Sequence, residues 1–164
     1  LRSQEDVDAL WAQSDLIDMI ATDHAPHTRD EKASASPPSG MPGLETMLPL
    51  LLTAASEGRL SLHEIVRWTA SRPAEIFHLA DKGQLAPGYD ADLTIIDVEH
   101  EWILSNDGLY TRCGWTPFAG RRVRGRVVQV YLRGMLAFKD GQVLAQPGTG
   151  RRVRNVEPSA QTSG

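Results

Sequence analysis

The sequence predicts an α/β fold, and three observations predict it. A helical pattern, a short apolar run ending in a polar loop, and a strong helix follow one another in the first half of the chain. Glycine-punctuated β-rich runs fill the second half. Over 164 residues, 41% are apolar and 23% charged, enough apolar material to bury one core.

The first helix is predicted over Gln4–Gln13, with Ser3 as N-cap and Asp6 three residues on, as in a capping box. Val7, Leu10 and Trp11 fall at i, i+3 and i+4 and are expected to form its buried stripe. Leu16 to Thr22 is a mostly apolar run that stops at Asp23-His24-Ala25-Pro26-His27, the pattern of a buried parallel strand feeding a loop. Helix, strand, loop and helix together are the grammar of an α/β barrel or an open α/β sheet. Residues 28–43, rich in Pro, Gly and Ser, predict a long loop, and such a loop after a strand is often functional.

A helix is expected from Leu44 to about Glu57, closed by Gly58. Ser61 and Glu64 form a capping box for another over Leu62–Ala70, and Pro73 suits the first turn of a short helix through Phe77 and Leu79. After Asp81 the runs Ala91–Val98, Arg126–Arg133, Met135–Lys139 and Gln142–Leu144 read as strands. Asp140-Gly141 is a hairpin-turn signal. The chain thus divides into a helical α/β portion over 1–80, a β-rich portion over 81–146, and a polar tail over 147–164 that is expected to be flexible.

Seventeen Lys and Arg against 21 Asp and Glu give a net charge of −4, which points away from nucleic acid and acidic membranes as partners. The arginines at 121, 122, 124 and 126, and again at 151, 152 and 154, are read as solvated loop charge. A single cysteine, Cys113, rules out an internal disulfide and fits a reducing, cytoplasmic setting. No apolar run reaches the ~18–20 residues of a membrane span, and no signal peptide is visible. The missing initiator Met leads us to expect that the chain begins inside a longer protein.

Asp23, His24 and His27 are the residues that could carry chemistry. A carboxylate with two imidazoles can bind a metal ion or shuttle protons. Spacing alone also allows a polar cap for the following chain, and favours it. Pro26 between the histidines argues for a loop rather than a helical zinc motif. His63, His78 and His100 are isolated, Cys113 has no partner nearby in sequence, and Trp11, Trp68, Trp102 and Trp115 are spread like core anchors.

Several blocks carry a family resemblance. Ile20 to Thr28 resembles the signature that follows the eighth barrel strand in dihydroorotases. The blocks Gly40–Pro49, Glu57–Leu62 and Cys113–Phe118 resemble others of the same family, in the same order. Lys82–Leu93 is similar to a pattern shared more widely by cyclic amidohydrolases. His27 and the Cys113–Phe118 block favour dihydroorotase over hydantoinase, dihydropyrimidinase or allantoinase. The likeness is to the type I enzymes, including the dihydroorotase domains of multifunctional animal pyrimidine-synthesis proteins.

The resemblance implies the C-terminal part of a metal-dependent (β/α)8 amidohydrolase barrel plus part of a small β-sandwich domain. It implies reversible cyclisation of N-carbamoyl-L-aspartate to L-dihydroorotate by zinc-activated hydroxide. In that scheme Asp23 ligates zinc (one or two ions) and acts as general acid/base. His27 holds the substrate carboxylate, Pro42 and Gly43 touch the ring, and His24 shapes the loop from behind the ligand shell. The other metal ligands would lie before Leu1, so the isolated chain is expected to be inactive. A homodimer of the full-length protein and association with aspartate transcarbamoylase are also implied. The alternatives are a non-catalytic dihydroorotase-like scaffold and another cyclic amidohydrolase.

Overall fold

The computed structural model describes residues 3–155. Its helices are α1 (Gln4–Ala12), α2 (Arg29–Lys32), α3 (Met47–Ser56), α4 (Leu62–Val66) and α5 (Arg72–Ile76). A 3-10 turn covers Ser14–Leu16, and a π-helical turn, Arg67–Ser71, joins α4 to α5. Strands β1 (Leu93–Ile103), β2 (Arg122–Leu132), β3 (Met135–Lys139) and β4 (Gln142–Val143) form one sheet in that order. The fold is mixed α/β with a partial sheet. No helix among the described residues is long and apolar enough to cross a membrane.

The chain packs as two compact units, each drawn from both halves of the sequence. The first comprises Leu1–Ile20, His63–Ile95 and Val127–Gly164; the second comprises Ala21–Leu62 and Ile96–Arg126. Ile65, Trp68 and Ala74 are the buried apolar residues of the first. Leu51, Leu52 and Ala54 of α3 are buried in the second with Leu60, Leu104 and Val123. Within it, Thr53 Oγ1 donates to Pro49 O (2.7 Å) and accepts from Arg124 N (2.9 Å), so a buried hydroxyl ties α3 to β2.

Helix α1 starts as expected. Ser3 Oγ accepts from Asp6 N (3.1 Å) and Asp6 Oδ2 accepts from Ser3 N (3.2 Å), a complete capping box. Its apolar stripe is not buried, however: Leu10 is 58% exposed and no residue of α1 is in the core. Periodicity identifies the apolar face of a helix, but it cannot supply the element that covers that face.

The strand expected over Leu16–Thr22 is likewise absent. Residues 17–23 carry no strand assignment; Ile20 N donates to Trp68 O (3.3 Å) and Ile17 O accepts from Arg67 Nη2 (3.1 Å). A strand exists only where a neighbour completes its ladder of N–H and C=O groups. Here a single parallel bridge, His24 to Met41, marks where such pairing begins.

Helix α3 begins at Met47, three residues after the expected start, and ends in a Schellman motif. Gly58 (φ +74°) and Arg59 donate their amides to Ala55 O and Ala54 O, both at 3.0 Å. The two helices expected over 62–70 and from Pro73 form one run from Leu62 to Ile76. Pro73 cannot donate to the preceding turn, and the π turn just before it accommodates the lost hydrogen bond.

Both hairpins turn on two residues. Lys139 and Gln142 pair across Asp140 (φ +46°) and Gly141 (φ +80°); Leu132 and Met135 pair across Arg133 (φ +49°) and Gly134 (φ +78°). Two successive positive φ values are the type I′ geometry that matches strand twist. A register shift at Val130/Tyr131 marks a bulge in β2.

The arginine run at 122–126 is not loop charge. Arg122, Arg124 and Arg126 alternate along β2 and face Glu101, Glu99 and Asp97 of β1 in turn, with Arg124–Glu99 the closest pair. This cross-strand ladder carries β1 five residues beyond its expected end at Val98. The tail is held at its last described residues: Ala80 N donates to Arg154 O (2.8 Å), and Arg154 pairs with Asp81 (2.5 Å). The remainder of the expected tail, 156–164, lies outside the described residues.

Candidate functional site

The segment from Asp23 to His27 and the loop from Pro38 to Glu45 lie side by side in the second unit. Ala25 N donates to Met41 O (3.2 Å) beside the His24–Met41 bridge. Gly40 (φ +105°) makes the approach feasible: a Cβ there would sit 2.7 Å from both Ala25 Cβ and Ala25 O. Lys32, at the end of α2, donates to Pro38 O (2.7 Å) and Gly40 O (2.8 Å), so one ammonium group clips the loop in place.

Asp23 occupies the left-handed region at φ +46° and is exposed. That conformation costs a residue with a Cβ about 1–2 kcal/mol, less for Asp than for most. Its carboxylate makes no hydrogen bond among the described residues. A strained residue presenting an uncommitted carboxylate is a frequent feature of functional sites.

His24 is committed. Its Nδ1 accepts from Gly43 N (3.1 Å) and Leu44 N (3.2 Å), so in the neutral ring the proton sits on Nε2. Neither nitrogen then offers a lone pair to a metal. The ring instead sets the backbone at Gly43 and Leu44, beside buried Pro42. Thus His24 and Gly43, two of the predicted site residues, are in direct contact.

His27 stands just before the N-cap of α2. Thr28 and Glu31 form a complete capping box there: Thr28 N donates to Glu31 Oε2 (2.6 Å) and Glu31 N donates to Thr28 Oγ1 (3.2 Å). The His27 side chain is 31% exposed, with Nδ1 3.8 Å from Glu31 Oε2. The hydrogen bonds from the Thr28 backbone and hydroxyl hold the Glu31 carboxyl below its ordinary range.

Two further residues brace this loop pair; both lie in sequence blocks noted above, Glu45 without a role and Trp115 read only as a core anchor. Trp115 Nε1 donates to His27 O (2.7 Å). Glu45 accepts from Tyr110 N (2.9 Å), Thr111 N (2.8 Å) and Thr111 Oγ1 (2.5 Å). Burial works against the charge on Glu45. Those three donors outweigh burial and hold its carboxyl below the ordinary range. No local pattern could have revealed either contact, since the partners are 88 and about 65 residues apart.

Cys113 Sγ donates to Trp115 O (3.7 Å); His63 and His78 are exposed, and Trp68 is buried. Among the described residues no group of three or more His, Cys, Asp or Glu is placed to hold a metal ion. The described residues thus form no complete metal site, and Asp23 leaves its carboxylate uncommitted in the loop.

Comparison with known proteins gives this geometry a context. The multifunctional protein pyr1-3 of Dictyostelium discoideum is 50% identical over 158 residues, 96% of this chain and 7% of that protein. A dihydroorotase of Pyrococcus furiosus is 42% identical over 154 residues, 94% of this chain and 36% of that protein. Among solved structures, the L-hydantoinase (dihydropyrimidinase) of Arthrobacter aurescens superimposes with a TM-score of 0.86 at 34% identity. The match covers 93% of this chain and 36% of that one. The chain therefore spans about a third of the dihydroorotase and hydantoinase chains it matches. The pattern described as "Amidohydrolase family" covers residues 2–137, and the chain belongs to that family.

Proposed function

We propose that the protein carrying this chain is a dihydroorotase, which interconverts N-carbamoyl-L-aspartate and L-dihydroorotate in pyrimidine synthesis. The observation that supports this best is the site loop itself. Asp23 is presented uncommitted in a left-handed turn, and His24 and Trp115 hold the two flanking backbones. The 42% identity to a dihydroorotase over 94% of the chain favours this substrate over hydantoin or dihydropyrimidine.

In this proposal residues 1–80 supply the last strand position and helices of the barrel, and 81–146 supply part of the small β domain. Asp23 would hold zinc through its carboxylate, and the same carboxylate takes and returns a proton during ring opening and closure. Bound zinc would polarise the ring carbonyl and lower the pKa of water towards ~7. His27 presents its imidazole to the substrate carboxylate, and the Pro42–Gly43 backbone lies against the ring, where a glycine permits close approach. His24 orients Gly43 and ligates nothing. The other metal ligands belong to sequence outside this chain, so the 164 residues alone bind zinc poorly and do not turn over. The protein works in the cytoplasm as a homodimer and can associate with an aspartate transcarbamoylase.

The test is an assay of the protein expressed from its complete coding sequence, with dihydroorotate and dihydrouracil as competing substrates. Turnover of dihydroorotate in preference supports the proposal. Preference for dihydrouracil, or no turnover of either with zinc supplied, overturns it.

A further inference from the structure

His27 lies in an exposed loop, yet the peptide that joins it to Thr28 is gripped from both sides. Its carbonyl accepts from Trp115 Nε1 at 2.7 Å, and its N–H, that of Thr28, donates to Glu31 Oε2 at 2.6 Å. The carbonyl and the N–H of one peptide are coplanar, so two opposed hydrogen bonds fix the orientation of that plane and with it ψ of His27. Pro26 restricts the backbone before it. The Cα–Cβ direction of His27 is therefore set by its surroundings and not by its own side chain.

The donor is itself anchored. Gly114 N donates to Thr111 O (3.0 Å), and Thr111 is held by Glu45 through its amide and hydroxyl. On the other side of Trp115, Thr116 is buried and its amide donates to Asn106 Oδ1 (2.9 Å). The loop from Asn106 to Thr116 thus presents the indole N–H from a fixed frame, as a group that positions another residue must. Glu45, which holds that frame, follows directly on Gly43 and Leu44, whose amides bind His24.

We propose that Trp115 is a positioning residue: its indole N–H aims the His27 imidazole at an anionic group of the substrate. This rests on the proposal that His27 binds the substrate carboxylate. It adds that affinity depends on a hydrogen bond made 88 residues away in the chain. Losing it frees the His27 peptide to reorient, and a misplaced anchor weakens binding of the ground state and transition state alike.

The experiment replaces Trp115 in the complete protein with benzothienylalanine, which keeps the bicyclic shape but has no N–H. Trp115→Phe and 5-fluorotryptophan serve as companions, the latter retaining the donor. The expected result is a KM for dihydroorotate raised ~10-fold by benzothienylalanine, with kcat within ~2-fold and 5-fluorotryptophan normal. A packing role alone would lower the active fraction, and so kcat, while leaving KM in place; that outcome overturns the proposal. If the native protein turns over no dihydroorotate, the function proposal fails separately. The positioning role is then decided by NMR. A change in the backbone N–Cα couplings that report ψ of His27 in the benzothienylalanine protein supports it, and couplings that do not change overturn it.

Discussion

The β3–β4 hairpin and the paired loops around His24 are both tight backbone arrangements built on positive-φ residues, yet different forces hold them. The hairpin is closed by Asp140 and Gly141, next to the residues they join, and Lys139 pairs with Gln142 across them. The loop pair is closed by His24 reaching Gly43 and Leu44, Glu45 reaching Thr111, and Trp115 reaching His27. A hairpin turn stabilises itself through local propensity. The loop pair has the nearer Lys32 clip, but it also depends on hydrogen bonds between residues 19 to 88 positions apart. Local elements therefore resist isolated damage, while a single lost tether changes a whole loop.

The largest effect that would sharpen this contrast is chemical. Asp23→Asn keeps a residue type that tolerates the left-handed conformation while removing the charge. In the complete protein it should cut dihydroorotate turnover by about 10²–10⁴-fold with the melting temperature nearly unchanged. A turnover loss under tenfold would remove Asp23 from the acid/base role.

Next come the glycines. Gly40→Ala meets Ala25 at 2.7 Å in addition to the backbone strain, and should destabilise by about 2–4 kcal/mol. Gly141→Ala, whose added Cβ would have nothing within 4 Å, should cost only about 1 kcal/mol from its φ. Equal losses in denaturant titrations would break the comparison.

Glu45→Gln weakens the brace on Tyr110 and Thr111 and should cost about 1–2 kcal/mol. Because the native carboxyl is held below its ordinary range, the native protein gains stability from this group above its unfolded pKa. It loses that stability as pH falls through the lower folded value. Thermal melts in mildly acidic buffer should therefore show a flatter pH slope in the variant.

The smallest effect is expected at Arg122→Ala. Arg122 and Glu101 are both well exposed and 3.6 Å apart, so their pairing contributes less than about 0.5 kcal/mol. A loss above 1 kcal/mol, or none of the salt sensitivity expected of exposed charges, would mean that the β1–β2 ladder acts as more than solvated charge.

Much was legible wherever the signal was local. The capping box at Ser3, the glycine stop at Gly58, strand β3 and the Asp140–Gly141 turn all formed where the residues indicated. The last five residues of β1 were missed because Glu99 and Glu101 look like loop charge until the arginines of β2 stand opposite them. In the candidate site, Asp23, His24 and His27 were visible as chemistry-bearing residue types. Their separate roles came only as what the family resemblance implies; the structure adds which nitrogen of His24 is engaged and what holds the His27 backbone.

By itself, then, the sequence determined the cap at Ser3, the stop at Gly58, the Asp140–Gly141 turn and the residues able to carry chemistry. Each of these follows from steric and hydrogen-bonding preferences that act within a few residues. Only the tertiary structure decided that the run before Asp23 makes no strand and that no residue of the α1 stripe is fully buried. It alone showed that Trp115 and Glu45 brace the site. Strand pairing, burial and tethering each require a second partner, and the partner's distance along the chain is written nowhere in the local pattern.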